Sequence, residues 1–338
     1  MTAGPRVLFM DTIWHYFQDE IRAALRQHFD VLVSGGGFAA AEEKRRQAAF
    51  LPSADVIVSS VLSPRQAGCA ANVKLVHSNG AGIDGIAREF LPVTTRLCKT
   101  GNHGRAIARY ILMVMQALTT RLFHLDRALR HNHWLNPQFS REAPFADDPE
   151  GKTALVVGTG EIGNETARLC SAYGMNTIGV HFPGYPPTEG LYHRLEPSAR
   201  LHEAIPEADF LVMAVALVPE TEGIIGEQAL RLMKKDAFLI NTARGPLVSE
   251  EHLFRALQSG AIAGAALDVW YHYPAELDEM VSPSSYPFHT LDNVIMTPHS
   301  SGTTHLVFCK RLNDIIDNIR AWSAGRPLKN EIAGEASR

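Results

Sequence analysis

The feature that most restricts the fold is the run Gly158-Thr159-Gly160-Glu161-Ile162-Gly163. It directly follows the apolar stretch 153–157 and opens a segment with helical spacing. A sharp turn from buried strand to helix needs glycine where the chain bends, where backbone approaches a ligand, and where helix packs on strand. The first N–H groups of such a helix lack intrahelical partners and suit a pyrophosphate. A tight turn without a ligand would carry the same glycines. The strand before, the helix after and the strand beyond give the motif its meaning. A chain built on this unit is α/β, with a parallel sheet covered on both faces.

The same alternation runs through the remaining sequence. Strands are predicted at 7–10, 31–33, 56–58, 74–77 and 93–97, with helical stretches such as 19–28 and 39–50 between them. Residues 105–118 form a strongly apolar helical stretch, continued by a more polar one at 122–134. Pro137, Pro144 and Pro149 make 136–151 an extended loop. Six further strands are predicted at 153–157, 177–180, 210–215, 238–241, 263–267 and 294–296, the pattern of a doubly wound dinucleotide fold. A long helix, 303–324, then returns to the first domain and makes it discontinuous. The 338 residues suit two domains of ordinary size.

With 20% charged residues and a formal net charge of -4, the chain has no basic field for nucleic acid or an acidic membrane. No uncharged run reaches the roughly 18 apolar residues of a membrane span. The start, MTAGPRVLFMD, lacks signal-peptide architecture. Cys69, Cys98, Cys170 and Cys309 are too few and scattered for a disulfide framework or a zinc site, so a reducing cytoplasm is expected. No metal is expected: no histidine pair sits with carboxylates in a ligand cluster, and His131 and His133 read as a solvated helix end.

In open α/β sheets ligands lie beyond the carboxyl ends of the strands. Those ends carry Leu217-Val218-Pro219-Glu220-Thr221, Asn241-Thr242-Ala243-Arg244-Gly245, Asp268-Val269-Trp270 and Thr297-Pro298-His299-Ser300-Ser301-Gly302. The planar fork of Arg244 suits a 2-oxo or 2-hydroxy carboxylate. His299 suits the proton that must accompany hydride transfer to a carbonyl. Asp268 suits a nicotinamide carboxamide. Each of these alone reads as a loop ion pair; at successive strand ends beside a nucleotide turn, their joint occurrence points to a site. The acid expected about 20 residues beyond the glycines, on the adenosine ribose, is missing. His181 stands at that strand end and Arg194 within reach of a loop, so the coenzyme is NAD or NADP, with NADP slightly favoured. An exposed loop histidine fits position 181 equally well.

At these residues the chain resembles the D-isomer-specific 2-hydroxyacid dehydrogenase family. The matching stretches are Gly80-Ala81-Gly82-Ile83-Asp84, GTGEIG, VPETEGII, INTARGPLV, AGAALDVW and MTPHSSG, in family order over nearly the whole chain. The resemblance implies two doubly wound parallel-sheet domains. A Rossmann NAD(P)-binding domain, 104–301, is inserted into a flavodoxin-like substrate domain, 1–103 plus 302–338. It implies that Ala81 and Gly82 offer backbone N–H groups to the substrate carboxylate, with Asn102 and His103 nearby. Arg244 would orient carboxylate and carbonyl, and His299 would pass the proton. The implied coenzyme set is Gly158, Gly160, Glu161, Ile162, Gly163, His181, Thr221, Thr242, Ala243, Asp268 and Ser301. The partner is a small 2-oxo or 2-hydroxy acid. The apolar helix after Arg105, with its run Ile111-Leu112-Met113-Val114-Met115, resembles the helix through which the family forms homodimers; burial within its own subunit is the plainer reading.

The chain also departs from the family. Tyr273 stands where a glutamate usually pairs with the catalytic histidine, and a neutral phenol adds no charge to raise an imidazole pKa. Glu276 would need a two-residue shift to replace it and reads instead as the start of a surface run with Asp278 and Glu279. The formate dehydrogenase branch carries a neutral glutamine at this place. However, the asparagine that this branch has before the linking helix aligns with His103, with Asn102 one place earlier. Ala108-Arg109-Tyr110 replaces the usual Ala-Glu-His, and the loop from Asp11 to Phe17 is unusually aromatic. Trp14 and Phe17 are expected to pack at the domain surface, a bulky substrate side chain being the alternative. Three readings follow: a reductase of 2-oxo acids, formate-like hydride transfer without a proton relay, and a catalytically weak NAD(P)-sensing protein.

Overall fold

Runs of three to six residues rich in Val, Ile and Leu are too short for helices. They form the strands, and the mixed segments between them form the helices. The computed structural model describes residues 4–35, 41–143, 145–184, 187–275 and 279–332. The chain divides into two units: Met1–Asn102 with Pro274–Met280 and Thr304–Arg338, and His103–Tyr273 with Val281–Thr303. Glu276 and Asp278, read above as part of an acidic surface run, lie outside the described residues.

In the first unit, β1 (Arg6–Phe9), β2 (Asp30–Val33), β3 (Val56–Val58), β4 (Leu75–His77) and β5 (Arg96–Cys98) form a parallel sheet in the order β2-β1-β3-β4-β5. Alternate residues bury on opposite faces: Val7, Phe9, Val56 and Leu75 in one cluster, Leu8, Ile57, Val76 and Leu97 in another. The expected strand 93–97 starts later, at Arg96. Val93 is exposed in a turn closed by the Thr95 N–H on Pro92 O, because proline cannot donate to the ladder.

The first cluster is covered by α1 (Gln18–Leu25) and by α10 (His305–Ser323), the returning helix. Trp14 is fully buried, 5.7 Å edge-to-face from Phe9 and 6.1 Å from Phe308, and Phe17 is buried beside it. Their rings belong to the core, and only Tyr16 of this loop is a well-exposed aromatic. Past α10 the chain is tied back by Asn318, which accepts the Lys329 N–H (2.8 Å) and donates to Lys329 O (2.9 Å). The tail ends in β13 (Glu331–Ile332), antiparallel to β5 and too short to be read from sequence.

The second unit holds seven parallel strands where six were predicted. They are β6 (Thr153–Val157), β7 (Asn176–His181), β8 (Arg194–Pro197), β9 (Phe210–Met213), β10 (Phe238–Asn241), β11 (Gly264–Leu267) and β12 (Val294–Met296), ordered β8-β7-β6-β9-β10-β11-β12. The extra strand, β8, reads Arg-Leu-Glu-Pro: an edge strand carries charges and proline without an apolar signature. Against this sheet lie α4 (Gly104–Thr119) and α6 (Glu161–Ala172). Ile111, Val114 and Met115 of the apolar run are buried with Val156, Ala167 and Cys170 of the same unit, leaving Met113 exposed. Most of that run therefore serves its own subunit. Among the described residues, no helix is long and apolar enough to cross a membrane.

His77 lies fully buried at the end of β4. Its Nδ1 is 2.9 Å from Ser78 O, a pure acceptor, so Nδ1 carries the proton and Nε2 accepts from Asn318 Nδ2 (2.9 Å). Burial pushes its pKa down to about 4. The ring stays neutral when folded but gains a proton near pH 6.5 when unfolded, so its contribution is complete above that pH and declines as pH falls toward 4. His77→Gln, which does not titrate, is expected to shrink the loss of unfolding free energy between pH 7 and pH 5 by up to about 2 kcal/mol. Denaturant unfolding at the two pH values measures it; an unchanged loss would show that His77 is no part of the acid response.

Candidate active site

All seven strands of the second unit run the same way, so their carboxyl ends form one edge. The chain leaves β6 toward β7 on one side and returns to β9 on the other, which makes this the topological switch point. The glycine turn stands there. Gly158 has φ +108°, and a Cβ on it would meet Ala214 O at 2.6 Å; on Gly163 it would meet Gly158 O at 1.9 Å. No side chain is sterically possible at either place. Gly160 precedes α6 in extended conformation with open space around it.

The Oγ1 atoms of Thr159 and Thr242, at the ends of β6 and β10, are buried without a hydrogen-bond partner among the described residues. Glycines that admit close approach, a helix start and orphaned hydroxyls fit a dinucleotide. Thr159 was not singled out from sequence, because position two of the motif is unrestricted. Of the other turn residues, Ile162 packs toward the α4 side and Glu161 Oε1 accepts the Gly104 N–H at 3.1 Å, drawing its charge toward α4. His181 ends β7 half-buried. Arg194 is not a phosphate cation there: its guanidinium lies 2.6 Å from Glu207 and 3.1 Å from Glu196.

Arg244 follows β10 in extended conformation and is half-buried. The buried Asn241 brackets it, accepting the Ala243 N–H (3.1 Å) and donating to Arg244 O (2.8 Å). Ala243 is buried in this bracket. Thr221, expected on the coenzyme, is buried and closes its own turn, accepting the Val218 N–H (2.9 Å) and donating to Ala216 O (2.8 Å). It supports the loop after β9 from behind.

Asp268 is fully buried. Its carboxylate accepts Thr297 Oγ1–H (2.6 Å) and the N–H groups of Ser300 (2.8 Å) and Ser301 (2.9 Å). These bonds flank His299, whose φ of +56° is rare outside glycine. Asp268 thus holds the histidine loop through the Thr297 hydroxyl and the Ser300 and Ser301 N–H groups. Tyr110 Oη lies 2.6 Å from Thr297 Oγ1. Since that hydroxyl donates to Asp268, Tyr110 is the donor, and burial pushes its phenol up to about 12. Trp270 Nε1 also donates to Thr297 O (2.9 Å).

His299 and Tyr273 are brought together as the sequence implied, with Tyr273 Oη 3.1 Å from His299 Nδ1. The phenol also accepts the Trp270 N–H at 3.1 Å. In the first unit, Ala81 and Gly82 follow β4, and their N–H groups have no protein partner among the described residues. Asn102 has φ +68° and donates Nδ2–H to Asp314 at 2.5 Å, so its amide is engaged within that unit. His103 belongs to the second unit, buried at the start of α4.

A doubly wound sheet with a nucleotide turn, an arginine and a phenol-backed histidine along one edge defines a dinucleotide-dependent oxidoreductase. The chain belongs to the D-isomer-specific 2-hydroxyacid dehydrogenases: residues 112–301, over half of it, match that family's NAD-binding domain. It is 33% identical over 242 residues to a glyoxylate reductase of Thermofilum pendens, covering 70% of this chain and 67% of the relative. To a D-3-phosphoglycerate dehydrogenase of Methanocaldococcus jannaschii it is 32% identical over 237 residues, 70% of this chain but only 43% of that longer protein. The solved structure of a glyoxylate reductase from Paecilomyes thermophila shares the fold, with TM-score 0.80 at 23% identity over 98% of this chain and 99% of that one.

Tyr273→Glu would place a carboxylate against His299 and favour its protonated form. In any reduction that takes a proton from His299, the pH at which turnover falls is expected to move upward in this variant. An unmoved limb in the pH–rate profile would mean that position 273 does not control the histidine.

Proposed function

We propose that the chain reduces a 2-oxo acid to the 2-hydroxy acid, and runs in reverse on the latter. The observation that carries this reading is the placement of Arg244 and the Tyr273–His299 pair at neighbouring strand ends beside the glycine turn. The bound coenzyme supplies a hydride to C2. The guanidinium of Arg244, charged at every working pH, orients the carboxylate and stabilises negative charge growing on the carbonyl oxygen. His299 gives that oxygen its proton, while Tyr273 holds the ring through Nδ1. The N–H groups of Ala81 and Gly82 suit a carboxylate, and the glycine turn suits the coenzyme.

NADPH is proposed as the favoured coenzyme. The end of β7 carries no carboxylate of its own to repel a 2′-phosphate, and the imidazole of His181 can donate a hydrogen bond to one. The test is loss of reduced-nicotinamide absorbance with NADPH or NADH against glyoxylate, hydroxypyruvate, pyruvate and phenylpyruvate. Turnover is expected, with NADPH preferred, and Arg244→Ala is expected to lose at least about a hundredfold, the scale of one charge-stabilising group. Silence across the panel with coenzyme binding intact would overturn the reading in favour of a sensor, and formate oxidation alone in favour of the relay-free chemistry.

A homodimer is also proposed. Its support lies less in α4 than beyond it, where Leu122, Phe123, Leu129, Trp134, Phe139 and Phe145 are exposed on α5 (Leu122–Arg130) and the loop that follows. Apolar surface of this kind marks an interface. Light scattering is expected to give twice the 37.1 kDa of the chain, and Phe123→Asp to halve that mass. A monomer for the unaltered protein would refute it.

A further inference from the structure

We propose that Asp11 is a positioning residue that sets the turn 79–82, and through it the affinity for the substrate's carboxylate. The inference rests on the reading of Ala81 and Gly82 given above. Asp11 ends β1, and its side chain reaches two neighbouring strand ends. Oδ2 accepts the Ser60 N–H (2.9 Å), just after β3, and Asn79 Nδ2–H (2.8 Å), just after β4. Oδ1 accepts Ser60 Oγ–H at 3.0 Å. One carboxylate therefore joins the ends of β1, β3 and β4.

The turn next to Asn79 is pinned at three further points. Gly80 O accepts the Thr100 N–H (3.1 Å), Gly82 O accepts Ser78 Oγ–H (2.8 Å), and the Gly80 N–H reaches Ser78 Oγ (3.3 Å). The consecutive N–H groups of Ala81 and Gly82 are without a protein partner among the described residues. Two adjacent donors held by a fixed backbone form a concavity for an anionic oxygen. Asn79 is the corner of this turn, and Asp11 is its anchor.

The anchor must be an acceptor. Asn79 Nδ2 and the Ser60 N–H both point at one oxygen and the Ser60 hydroxyl at the other, so an amide in its place keeps a single acceptor oxygen, turns its NH2 on the serine hydroxyl and carries no charge. The carboxylate is kept at some cost: its hydrogen-bond partners Ser59, Ser60 and Asn79 are all neutral, and burial outweighs them, raising the carboxyl to about 6.

Asp11→Asn is expected to raise KM for the 2-oxo acid about tenfold, the scale of one lost charged hydrogen bond. kcat should stay within about threefold, and the dissociation constant of NADPH, measured by nucleotide fluorescence, should not change. Asn79→Ala, which leaves Asp11 in place and removes only the corner's bond, is expected to do the same. An unchanged KM in both folded variants, or coenzyme affinity falling in parallel, overturns the proposal. A readout without turnover separates it from the reductase reading. In the full chain, the amide resonances of Ala81 and Gly82 are expected to shift on titration with oxamate, and to shift less in Asn79→Ala. That result with no 2-oxo acid reduced would sustain the turn's role and defeat the reductase; no shift in the unaltered protein would defeat the turn's role.

Discussion

The catalytic end of the second unit depends on the carboxylate of Asp268. It sits where β11 ends and takes three hydrogen bonds of 2.6 to 2.9 Å from the segment after β12. Without it, His299 at φ +56° would relax, since a left-handed residue other than glycine costs about 1–2 kcal/mol. Bonds to an ionised acceptor contribute about 1.5–3 kcal/mol each, so the strained loop persists. The order of donors is fixed: Tyr110 to Thr297, and Thr297 to Asp268. A tyrosine on α4, at a departure from the family's pattern, thereby becomes part of the support of the loop that carries His299.

Support of the loop and tuning of the imidazole are separated in this chain. Asp268 fixes the backbone around His299, while the phenol of Tyr273 lies at Nδ1. A phenol can accept from Nδ1–H of an imidazolium or donate to Nδ1 of a neutral ring, so it serves both protonation states without favouring the charged one. A carboxylate in its place would favour the charged one only.

What was legible in the sequence and what was not follow from the range of the forces involved. The strands of both sheets, the glycine turn and the Tyr273–His299 pairing depend on local apolar runs, backbone sterics or motif order, and these are written along the chain. Strand β8 was missed because Arg194 and Glu196 are held by edge pairing and by Glu207, contacts that leave no apolar alternation. That Thr221 closes its own turn and that Asp268 holds the segment after β12 was not legible, because polar residues at strand ends look alike in sequence. Whether the side chain turns outward or back onto its own loop is a tertiary matter. The link from Tyr110 to Thr297 spans 187 positions, and that from Asp11 to Asn79 spans 68. No periodicity reports either of them.

Asp11 and His77 show how the first unit accommodates polar groups within its sheet ends. Burial raises the carboxyl of Asp11 to about 6 and lowers the imidazole of His77 to about 4. For Asp11, the folded chain holds its proton more tightly, so its contribution is full below about pH 3.8 and is lost as pH rises through 6. For His77 the unfolded chain binds the proton more tightly, so its contribution is full above 6.5 and is lost as pH falls toward 4. The two oppose one another across the same window, and they act at the ends of β1 and β4, with β3 between them. Mild acidification therefore raises the contribution of one buried group and lowers that of the other.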